Sequence, residues 1–146
     1  MIQLIPSLLA LLAGALMAVQ GSVNSALSKI SGLLEATLIV HVTGTIAVIL
    51  LLFVGRLGKG NLANVVHAPW YTWLGGILGV AIIYTVAASI PKLGVATATT
   101  FIILAQVSTA LLIDCLGLFG LEKVAFTWLK FLGAVLLAIG AKLILG

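Results

Sequence analysis

Residues 96–120 read ATATTFIILAQVSTALLIDCLGLFG, and this run decides the fold. A helix that crosses a bilayer needs about 20 mostly apolar residues, and each polar group it carries into lipid must find a partner there. The run is long enough, yet it holds Gln106 near its middle and Asp114 further along. On a helix these two lie about 80° apart around the axis and about 12 Å apart along it, with Thr99, Thr100 and Thr109 on the same half. That half is expected to face protein.

Composition says where the other helices lie. Of 146 residues, 63% are hydrophobic and 7% are charged, against about 25% charged in a soluble domain. The expectation is an all-α integral membrane bundle. The formal charge of +4 comes from seven Lys/Arg against three acids. These bases are scattered singly, and no basic block points to nucleic acid. The single cysteine, Cys115, excludes an intramolecular disulfide and leaves the redox compartment unread. No metal-ligand spacing, no glycine-rich phosphate loop and no nucleophile–base set on one helix face occurs, so neither a metal, a cofactor nor an enzyme is expected.

Outward from the central run, helices are predicted at about 4–26, 33–54, 70–89, 96–118 and 124–145, a single five-helix domain with no room for a soluble one. The first lacks the basic n-region of a secretory signal and is read as a retained span. Its Gln20 and Asn24, four apart, project from nearly one face beside Gly14, Met17 and Gly21, a pattern of close helix contact. Ser31 is placed to cap the second helix, with Glu35 in its first turn. His41 lies near the middle of that helix and needs a partner there. Residues 55–69 have the composition of a soluble loop, and Trp70, Tyr71 and Trp73 mark re-entry at headgroup depth. Gly75, Gly76 and Gly79 then offer a flat packing face, as do Gly133 and Gly140 in the last helix. Pro91 is expected to end the third helix in a turn at 91–94.

Several polar residues invite more than one reading. Lys130 is counted about two turns inside the fifth helix, at the depth of Asp114, so an ion pair or a coupling role is open to both. Gln106 falls close to the midplane, with Gln20, His41 and Tyr84 within about 7 Å of it, each on a different helix. Shared depth suggests that they converge on a polar chamber for a small hydrogen-bonding solute, with His41 able to add proton coupling. Asn24 belongs to the same set, and interhelical hydrogen bonding is the competing reading for all of them. By alternation of the spans, Arg56, Lys59 and Lys123 lie on one side and Lys29, Lys92 and Lys142 on the other. Three against three is no positive-inside bias. Five spans without bias suggest insertion in both orientations and pairing of inverted copies, which would recreate the inverted repeat of larger transporters.

The run PWYTWLGGILGVAIIYTVAASIPKLGVATATTFIILAQVSTALLIDCLGLFG, with the earlier Gln20-x-x-x-Asn24, resembles the YdcZ-type family, a five-helix branch of the drug/metabolite transporter superfamily. The likeness covers nearly the whole chain. It rests on Trp-x-Gly-Gly-x-x-Gly, on the Pro-x-Leu-Gly turn, on the midhelix glutamine and on Ile-Asp-x-x-Gly-x-x-Gly. It departs at Ala105, where the family more often has glycine, and at Cys115, where histidine commonly follows the aspartate. The resemblance implies a ten-helix unit of two inverted five-helix chains in the inner membrane. The resulting expectation is a secondary transporter acting as an inverted homodimer. The alternatives are a non-transporting assembly component and a passive channel. The expected partners are lipid, a second inverted copy and a small solute.

Overall fold

A backbone in lipid must bond its own N–H and C=O groups, and continuous apolar runs do this as helices. The computed structural model describes residues 3–146 and contains five such helices: α1 (Leu4–Ser31), α2 (Leu33–Ile49), α3 (Leu74–Leu93), α4 (Val95–Leu116) and α5 (Trp128–Leu145). With the turns that prolong α2 and precede α3, all five are long and apolar enough to cross a membrane. No strand occurs among the described residues.

The helix ends differ from the sequence expectation for local reasons. α1 continues past residue 26 to Ser31 because residues 27–31 contain neither glycine nor proline. Ser28 and Ser31 donate their hydroxyls back to the carbonyls of Ser25 and Leu27. Ser31 therefore does not cap α2. The cap is Gly32, without a side-chain bond, and its φ of 99° is a conformation open to glycine. α3 runs through Pro91 to Leu93. A proline this near the end removes a single ladder bond, and the turn contracts to Gly94 at φ 82°. α2 ends in a π-helical turn, Leu50–Val54, closed by the Gly55 N–H on the Leu50 carbonyl at 2.8 Å.

α5 begins at Trp128 rather than near 124. The preceding segment is extended and folds back on the end of α4, where the Val124 N–H donates to the Asp114 carbonyl at 2.9 Å. Thr127 then caps α5, its side chain accepting from the Lys130 N–H at 3.3 Å.

The chain forms two compact units, one ending at Lys92 and the other Leu93–Gly146. In the first, burial gathers near the Gly32 turn at Gly21, Asn24 and Ser25 of α1 and Ala36 and Thr37 of α2, with Ala87 and Ile90 late in α3. α3 approaches α1 so closely that a Cβ at Gly21 would stand 2.9 Å from Val86 Cγ1 and 3.1 Å from Ile90 Cδ1. In the second unit Ala98, Thr100 and Ala141 are buried. No large side chain is fully buried among the described residues. Lipid is as apolar as a neighbouring leucine, so small residues pack the helices together and the large ones face outward.

Five hydroxyls inside the spans are satisfied by their own helix: Ser22, Thr37, Thr43, Thr85 and Thr100 each donate four residues back. The half of α4 expected to face protein does so at its start and again at Asp114 near its end, but not between them. Thr100 is buried and Thr99 half-buried, whereas Gln106 and Thr109 are exposed.

Candidate solute-binding site

α2 holds His41 half-buried, with Nδ1 2.9 Å from the Thr37 carbonyl one turn earlier. A carbonyl oxygen only accepts, so Nδ1 carries the proton and, in the neutral ring, Nε2 presents a lone pair. That nitrogen is aimed at α3, 3.5 Å from where a Cβ of Gly79 would stand. The helix thus fixes the imidazole through backbone alone and leaves its other nitrogen free.

Asn24 of α1 is 6% exposed, and among the described residues its amide makes no hydrogen bond within the chain. None of its polar atoms is sealed off completely. Asn24 lies eight residues before Gly32 and His41 nine after it. At about 1.5 Å per residue the two sit at nearly one level of the α1–α2 hairpin, about 12–14 Å from its turn. Formal charges of the first unit lie elsewhere: Lys29 and Lys92 in the last turns of α1 and α3, Glu35 in the first turn of α2, and Arg56 and Lys59 in the connection.

The other candidates do not bond to these or to one another. Gln20 is exposed one turn before Asn24, and Tyr84 is 37% exposed on α3. Gln106 is exposed on the second unit. Among the described residues none of the three has a hydrogen-bond partner.

Asp114 and Lys130 are not joined as the depth count suggested. Because α5 starts late, Lys130 belongs to its first turn, and its ammonium donates to the Ala125 carbonyl at 3.1 Å. Asp114 is half-buried near the end of α4 and engages Val124 through its backbone.

The glycines also sort differently. Gly75, Gly76, Gly133 and Gly140 have open space beside them in the single chain, as does Gly14, so they pack nothing within it. Close approach falls to Gly21, and Gly79 faces His41. Thr37, the residue that orients His41, was not singled out by the sequence. Its only signal was the four-residue spacing, since any residue there would supply the same carbonyl.

The membrane surface is marked at the long connection. A 3-10 turn, Leu62–His67, is capped by the Asn61 side chain accepting from the Ala63 N–H at 2.9 Å. Trp70 stacks edge-on against Tyr71 at 6.2 Å, and Trp70 and Trp73 are exposed. Such side chains settle at headgroup depth.

A family model described as candidate inner membrane exporters, YdcZ, matches residues 5–143. Comparison with curated proteins and with solved structures gave no match.

Proposed function

Because the chain belongs to the YdcZ family of the inner membrane, we propose that this multi-pass membrane transporter is a secondary transporter, its five helices acting as one domain in an inverted homodimer. It carries a small polar solute by alternating access. One observation carries the reading: Gln20, Tyr84 and Gln106 are exposed on the single chain without a partner among the described residues. Lipid cannot satisfy an amide or a phenol, so what meets them comes from outside the protomer. A second copy in the opposite orientation would set two such groups around the midplane, where transporters built of inverted repeats hold their solute.

With Lys130 in the first turn of α5 the split becomes four bases (Arg56, Lys59, Lys123, Lys130) against three (Lys29, Lys92, Lys142), and a balance this near to even supports insertion both ways. Adding two or three lysines to one side is expected to drive nearly all copies into one orientation and abolish activity. Coexpression of an oppositely biased variant restores it. A cysteine introduced into residues 55–69 labels from both faces of the membrane, and labelling from one face alone would sink the inverted dimer. In liposomes a transporter gives saturable flux. Non-saturating current would mark a channel, and no flux an assembly component. Gln20→Ala and Gln106→Ala should leave folded dimers that have lost solute affinity, whereas interhelical hydrogen bonding predicts lost stability instead.

A further inference from the structure

We infer that His41 is the hydrogen-bond acceptor that seats a neutral solute through a hydroxyl or amide N–H, in the notch left by the absent side chain of Gly79. The inference rests on the transporter reading above and names the chemistry its site selects.

Three features of the first unit lead to it. The Thr37 carbonyl takes the Nδ1 proton, so the lone pair of Nε2 is the nitrogen on offer. Nε2 points across to α3 at the one glycine of the 75–79 cluster that has a neighbour within the chain. At nearly the same level of the hairpin, Asn24 is more than nine-tenths buried and its amide is unbonded within the chain. A buried amide and an imidazole lone pair inside a bilayer are costly unless something fills them. Nothing in the described chain does.

Charge decides the class of solute. No Asp, Glu, Lys or Arg lies on α1, α2 or α3 at this level; Glu35 is six residues nearer the turn, about 9 Å along α2. A cationic solute would arrive without a counter-charge, and an anionic one would meet a lone pair. A neutral solute with donors to spare satisfies Nε2, while the amide of Asn24 can both donate and accept.

Gly79 makes the test clean. A methyl there would stand at ordinary contact distance from Nε2, so Gly79→Ala covers the lone pair without forcing the helices apart. In a helix interior it also favours folding. The probe is diethyl pyrocarbonate, which acylates an imidazole nitrogen through its lone pair. It is applied to the full chain in lipid nanodiscs and read by mass spectrometry at His41 and, as internal reference, at His67. Glycerol and acetamide are expected to slow acylation of His41 but not of His67, and methylammonium to slow neither. Gly79→Ala is expected to slow His41 about tenfold without any solute, the loss of access worth one hydrogen bond, while raising Tm. Gly44→Ala, with open space beside it, raises Tm and leaves the rate unchanged. Acylation of Gly79→Ala at the unaltered rate overturns the inference. So does protection by methylammonium, or protection by no neutral donor. The labelling needs no flux. Protection without transport in liposomes would remove the transporter reading alone, and transport without protection would remove this one alone.

Discussion

The two ends of the first unit differ in what their small residues meet, while large apolar residues face outward at both, Ile30, Leu34 and Leu38 beside the Gly32 turn included. Near the Gly32 turn the contacts are made by Gly21, Ser25, Ala36, Thr37 and Ala87, and α3 comes within van der Waals reach of the α1 backbone. At the far end Leu8, Leu12, Leu16, Ile46, Ile77 and Leu78 are all exposed, and Gly14, Gly75 and Gly76 have nothing beside them. In water that far end would collapse. In a bilayer, leucine facing lipid loses nothing, so size rather than hydrophobicity decides where helices touch.

The largest break in this contrast is expected from Gly21→Leu. The added atoms have to displace Val86 and Ile90, and overpacking of this kind costs about 1–3 kcal/mol. Gly14→Leu, two turns away in open space, gains the helix preference of a non-glycine residue, about 0.5–1 kcal/mol. Unfolding of the detergent-solubilised protein measures both, and equal losses at the two positions would erase the distinction between the ends.

A smaller effect is expected in the second unit. Thr127→Ala removes the cap of α5 and costs about 1 kcal/mol. The same variant should loosen the amide of Lys130, seen as faster hydrogen exchange there, because that N–H loses its acceptor.

Smaller still is the link between Asp114 and Lys130. With the ammonium on the Ala125 carbonyl, Asp114→Asn and Lys130→Met should add, their coupling staying within about 0.5 kcal/mol in a double-mutant cycle. A buried ion pair would show a coupling several times larger.

The smallest expected change belongs to Asn24. Its amide bonds nothing within the described chain, so Asn24→Ala should cost no more than about 0.5 kcal/mol of stability, and relief of an unpaired amide can raise it instead. A loss of about 1–3 kcal/mol would instead show that the amide ties helices together.

Lys29, Lys92 and Lys142 illustrate how one sequence fact acquires a second cause. All three fall in the last turns of their helices, α1, α3 and α5, beside the negative end of the dipole. Their placement therefore has a local reason beside the topological one proposed above. The lysine-addition experiment tests the topological reason separately.

The apolar runs by themselves determined five spans, because lipid allows the backbone no alternative to helix, and the ordered motif from Trp70 to Gly120 carried the family. Glycine and proline placed the breaks, but not to the residue. Gly32 and Gly94 proved to be the turns, while Pro91 was absorbed into α3. What only the tertiary structure decided is which polar and small residues have neighbours. Helical periodicity gave Gly21 and Gly14, or Gly79 and Gly75, equal standing, and depth counting matched Lys130 to Asp114. The distinctions came from Val86 and Ile90, which α3 sets against Gly21, and from the fold-back of residues 121–127, which moved the start of α5. Neither is encoded in the spacing of residues along one helix, since both depend on where another part of the chain lies.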